Sequence, residues 1–218
     1  MKGLESSAMS LRLVKVKEKI RSLKRNLSDF ERMLRISGAL EICRRYFVMN
    51  MFDGALATLG VIMGMWVSGI ADSSAVVKTT LSAGLAMFIS GASGAYLTEK
   101  AERERRLREL EEAMFQDMKG TIYERSSRLA VLVVSMIDGI SPLMACAILM
   151  TPFALSRALA TGFATVALAS LIIGTAMLST LGYFLSRIAG KKPLEYMAFM
   201  ALTGIASAIV IVLLGLHT

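Results

Sequence analysis

The chain has 218 residues, 55% of them hydrophobic, and sets 25 Lys and Arg against 17 Asp and Glu for a formal net charge of +8. That apolar share exceeds the average for a soluble domain even before the 17 glycines are counted. The single histidine, His217, is next to last, which all but excludes His-based triads and two-histidine zinc sites, and two isolated cysteines (Cys43 and Cys146) leave no readable disulfide framework. With no recognisable pairing of nucleophile and base, the chain reads as a non-enzyme.

The first segment, 1–45, is charged and has no early apolar core, so it does not read as a signal peptide. Within it, Leu13, Val16, Ile20, Leu23, Leu27, Phe30 and Leu34 alternate spacings of 3 and 4, the a/d seam of a coiled coil over three heptads. A seam this narrow favours helix pairing, in cis or between subunits. The other reading is an amphipathic helix on an anionic leaflet, supported by Lys15, Lys17, Lys19, Lys24 and Arg25.

Uncharged runs then cover 54–71, 79–98, 158–186 and 196–218, while 129–156 is interrupted only by Asp138. Because roughly 20 apolar residues cross the hydrocarbon core as a helix, these runs predict five transmembrane helices. The first span needs the residues from Tyr46 onward to reach full length, which places Asp53 inside it. The expected architecture is an all-α integral membrane protein with an N-terminal amphipathic or coiled-coil helix. Its parts are a cytoplasmic segment (1–45), spans one and two (46–98), a charged cytoplasmic helix (99–128) and spans three to five (129–218).

Basic residues set the orientation. Twelve Lys and Arg precede Tyr46, eight lie in 99–128 and three in 187–192, whereas the alternate loops hold only Lys78 and Arg157. The positive-inside rule then puts the N-terminus in the cytoplasm and the C-terminus outside, in the cell membrane or an internal one. It also assigns the basic balance to the membrane rather than to nucleic acid.

The charged segment presents Leu107, Leu110, Met114 and Met118 on one stripe and Glu102, Glu109, Glu112 and Gln116 on another. Stacked carboxylates suit a divalent cation. The pairs Glu99–Arg103, Glu102–Arg106 and Glu104–Arg108 explain the same residues as an ordinary salt-bridged surface.

The carboxylates within the spans carry most information, because each costs at least about 2.5 kcal/mol at a helix centre and normally lines a polar path or an ion site. Asn50 and Met49 stand three and four residues before Asp53 on the same helical face, and Met63 and Met65 follow. Carboxylate, amide and thioether together suit Fe²⁺ or Mn²⁺ better than Na⁺ or Ca²⁺. Asp138 precedes Pro142 by four residues, so its carbonyl loses a helical partner. Asp53-Gly54 recurs as Asp138-Gly139, 85 positions later, consistent with an internal repeat of spans one and two in spans three and four. Small residues, as Gly60 and Gly64 in the first span and 90–95 in the second, predict close packing of these two spans around Asp53.

The run from Asp53 to Gly64, DGALATLGVIMG, resembles the first-span motif of the vacuolar iron transporter family. The resemblance implies five spans with a charged helical segment between the second and third, a homodimer, and export of Fe²⁺ or Mn²⁺ from the cytosol against protons. It also implies that Asp53 is the pore carboxylate. The family's second span reads small-Met-Ala-x-Gly-Glu-Tyr, and here Gly91 and Ala95 of the run 90–96 stand at the methionine and glutamate positions. The pore methionine is therefore either Met87, one turn earlier, or missing. The family's multi-glutamate site maps onto Glu102, Glu109 and Glu112, while Asp138 lies outside the motif. The reading reached is a homodimeric metal transporter, with no permanently bound cofactor, whose candidate ligands are Asp53, Asn50, Met49, Met87, Asp138, Glu102, Glu109 and Glu112. The alternative is a non-transporting membrane scaffold that recruits a soluble partner through its N-terminal helix.

Overall fold

The computed structural model describes residues 28–215, the side chains of 157–159, 214 and 215 excepted, and these residues form helices and no strand. A short helix α1 (residues 28–36) leads into α2 (Ala39–Val67), α3 (Ser73–Met114), α4 (Ile122–Leu159), α5 (Phe163–Ala189) and α6 (Pro193–Gly215). The last five are each long and apolar enough to cross a membrane, as expected. The polar residues at the breaks end and begin them. Asp72 accepts the Ser74 N–H at 2.8 Å ahead of α3. Thr121 accepts the Glu124 N–H at 3.3 Å while the Glu124 carboxylate accepts the Gly120 N–H at 2.7 Å, a capping arrangement at the start of α4. Gly38 turns the chain from α1 to α2 at φ 65°, in the left-handed region where a Cβ is strained.

α3 has 42 residues, hence about 63 Å at 1.5 Å per residue, roughly twice the hydrocarbon thickness of a bilayer. The charged segment is therefore the second span continued out of the apolar layer as far as Met114. Gln116 and Met118 lie beyond its end, off the stripes the sequence suggested, and residues 122–128 belong to α4.

α4 is the central element, packed along both α3 and α2, and α5 pairs with α6. One core cluster joins Val48, Met51, Ala55 and Leu59 of α2 to Ala145 and Leu149 of α4 and Leu178 and Leu181 of α5. At one end, Leu34, Ala39 and Cys43 pack on Ala130 and Val134. The last position of the heptad seam thus finds its neighbours in cis, on α2 and α4, while the positions from Leu13 to Leu27 fall outside the described residues.

Lipid is as apolar as leucine, so burial alone does not pair spanning helices and close backbone approach has to. A Cβ on Gly54 would lie 2.6 Å from the Pro142 carbonyl oxygen and 2.7 Å from its Cα; one on Gly139 would lie 2.6 Å from the Phe88 oxygen; one on Gly182, 2.5 Å from the Tyr196 oxygen. The contacts α2–α4, α3–α4 and α5–α6 are therefore glycine against backbone. The expected approach at Gly60 and Gly64 is not made among the described residues: there Gly60 meets only the Ile211 side chain, at 3.5 Å, and Gly64 has nothing within 4 Å. Nor do spans one and two close around Asp53, because the small residues Gly91 and Ala92 of α3 face Asp138 and Gly139 of α4 instead. The two Asp-Gly dipeptides accordingly have different surroundings.

Candidate metal-transport site

Asp53 lies on α2 seven residues beyond Tyr46, where the sequence pattern opens the first span, a distance of about 10 Å by the helical rise. Its side chain is exposed on the outer surface of the single chain, with no hydrogen bond or ion pair to any described residue. Met49, one turn earlier on that face, is 55% exposed, and Asn50 is half-buried. By contrast, Met63 is buried and Met65 packs against the cluster of Ile62, Val76 and Phe153, so both serve as core filler.

Asp138 is drawn into a different contact. Its Oδ1 accepts a hydrogen bond from Asn50 Nδ2 at 2.6 Å, joining α4 to α2 across 88 positions of sequence. Its other oxygen faces α3, where a Cβ on Gly91 would stand 2.8 Å from Oδ2 and 3.4 Å from the Asp138 carbonyl oxygen. The carbonyl that Pro142 leaves without a helical donor thus lies against the one residue type on α3 that leaves room for it. No part of the sequence pattern pairs Asn50 with Asp138; the one available signal is that each is a polar residue inside an apolar span.

Two of the three glutamates on the charged part of α3 are held by arginines. Glu102 accepts from Arg105 at 2.8 Å and from Arg106 at 3.1 Å, and Glu109 lies 3.4 Å from Arg105. Glu112 is exposed on the same helix. Of the three surface pairs expected, Glu102–Arg106 forms, whereas Glu104 stands 3.9 Å from Lys100 rather than pairing with Arg108. Glu99–Arg103 forms at 3.2 Å but is buried, not surface: Arg103 also donates to the Ser37 carbonyl at 3.1 Å, tying α3 to the turn between α1 and α2. A hydrogen-bonded anchor at the end of α1 makes such burial tolerable, since an ion pair removed from water needs further partners. Among the described residues no three Asp, Glu, His or Cys side chains lie close enough together to hold a metal ion. The candidate ligands are thus spread over α2, α3 and α4 and do not form one shell within a single chain.

The VIT family model matches residues 44–130, the stretch that carries the first span with Asp53, the second span and the charged continuation of α3. An uncharacterized protein of Methanocaldococcus jannaschii is 32% identical over 152 residues, covering 68% of this chain and 75% of that protein. The chain belongs to the VIT family. Membership in the VIT family implies metal-ion transport, in agreement with five helices long and apolar enough to cross a membrane. The vacuolar iron transporter resemblance carried by residues 53–64 lies wholly within the matched stretch.

Proposed function

We propose that the chain works as a homodimer that exports Fe²⁺ or Mn²⁺ from the cytosol in exchange for protons, with Asp53 as the central ligand. The observation that carries this reading is the placement of Asp53. A carboxylate about 10 Å inside an apolar span, turned outward from its own bundle, is costly against lipid. A second copy packed on the same face, with a divalent cation between the two carboxylates, relieves that cost and builds a pore from one residue contributed twice. Met49 and the Asn50 oxygen, within one turn of Asp53, supply the softer and neutral donors that favour Fe²⁺ or Mn²⁺ over Ca²⁺. Glu102, Glu109 and Glu112, on the part of α3 that projects beyond the apolar layer, form a charged approach at which metal displaces the arginine partners of Glu102 and Glu109.

Proteoliposomes holding a metal-quenched dye test the reading. Under a pH gradient, added Fe²⁺ or Mn²⁺ should quench the dye through the reconstituted protein and leave empty vesicles unchanged. Absence of quenching would favour the scaffold.

Orientation is testable by itself. With the N-terminus cytoplasmic, a cysteine at Lys78 should react with an impermeant maleimide from outside, and one at Lys191 should react only after permeabilisation. Both positions are exposed, and the native Cys43 and Cys146 are buried, which keeps the background low. The reverse labelling pattern would invert the topology.

A further inference from the structure

Asn50 has its amide nitrogen fully committed. Nδ2 donates to the Tyr46 carbonyl oxygen at 2.9 Å and to Asp138 Oδ1 at 2.6 Å. A primary amide has two N–H donors, and both are used. Because both partners are acceptors, turning the amide over would set its carbonyl oxygen against two other oxygens, so the chemistry itself fixes which end points where. The carbonyl oxygen is left facing away from Asp138, and among the described residues no donor is bonded to it. Asp53 follows three residues later, on the same side of α2.

We propose that Asp138 is a positioning residue of the transport site, which locks the Asn50 amide so that its free carbonyl oxygen stands ready beside Asp53 as a second oxygen ligand for the divalent cation. The proposal rests on the reading of Asp53 as central ligand. Asp138 needs only an acceptor oxygen for this role, not a negative charge, and it needs to be held still. It is held by two glycine contacts: Gly139 brings the backbone of α4 against α3, and Gly91 leaves space for Oδ2, which a Cβ would meet at 2.8 Å. Such outer partners commonly set metal affinity, and their loss costs roughly 10- to 100-fold.

The experiment is Mn²⁺ uptake into proteoliposomes, read as separate KM and maximal rate, for Asp138→Ala, Asp138→Asn and Gly91→Ala, with Asp53→Asn measured in parallel. Asp138→Ala removes the acceptor, so KM should rise by about tenfold or more while the maximal rate changes little. Asp138→Asn restores an acceptor oxygen at the same place and should recover most of that loss. Gly91→Ala keeps both polar residues but displaces the carboxyl, and should raise KM in the same direction by a smaller factor; it decides the matter if Asp138→Ala does not yield folded protein. The proposal is overturned if Asp138→Asn is as damaged as Asp138→Ala, which would mean that the charge acts directly. It is equally overturned if KM is unmoved in both Asp138→Ala and Gly91→Ala. An Asp53→Asn protein that transports normally would defeat the parent reading instead, so the two failures are distinguishable.

Discussion

Replacing Asp53 by Asn should reduce metal flux to the level of empty vesicles while leaving expression and assembly close to wild type. The substitution keeps the shape of the side chain and one oxygen, so whatever is lost is lost through charge. A divalent ion that leaves water for a site about 10 Å inside an apolar span gives up most of its hydration, and the protein has to replace it with charge held nearby. In that low-dielectric surrounding the attraction between a carboxylate and the ion far exceeds its value in water. An amide oxygen offers a dipole in place of a full charge. The side chain is exposed and has no hydrogen bond or ion pair to any described residue, so the near-isosteric change removes no polar contact from the single chain. Uptake of Fe²⁺ and Mn²⁺ by Asp53→Asn vesicles at the wild-type rate would refute the assignment.

Gly54→Ala should destabilise the protein even though alanine is the better helix former. In a helix interior the exchange gains roughly 0.5–1 kcal/mol of propensity. Here the added methyl would come within 2.6 Å of the Pro142 oxygen and 2.7 Å of its Cα, both backbone atoms that cannot rotate aside. Overpacking of this kind costs about 1–3 kcal/mol, and the contact it spoils is the one that brings α2 onto α4. Steric cost exceeds propensity gain, so the melting temperature in detergent should fall by roughly 2–8 °C for a chain of this length. Gly64→Ala is the matched control: with no described residue within 4 Å of its Cβ position, it should leave the melting temperature unchanged or slightly raised. Equal effects at the two positions would refute the packing account. Because Asn50 sits one turn before Gly54, the same change should also pull the amide away from Asp138.

The linear pattern determined the features that a bilayer imposes on any chain. Lipid offers no partner to backbone N–H and C=O groups, so a spanning segment must be a helix of about 20 apolar residues, and the five runs between charged stretches could be counted directly. The first-span run beginning at Asp53 carried the family. That the charged stretch after Thr98 continues as helix also followed, since nothing from Glu99 to Met114 breaks it.

Which helix faces which was decided only in three dimensions. A soluble helix shows its buried side by contrast between apolar and polar residues; a spanning helix is apolar all round, because its lipid face and its protein face want the same side chains. Thus the sequence pattern pointed to Gly60 and Gly64, whereas the close approach is made at Gly54 against Pro142. Glu99–Arg103 had the spacing of a surface pair and turned out buried, because α3 leans on the turn at Ser37. Asp53 and Asp138 sit in like dipeptides, yet one faces outward and the other meets Asn50 from a helix 88 positions away. Helical periodicity fixes a residue's angle about its own axis, and only the packing of α4 between α2 and α3 converts that angle into a partner.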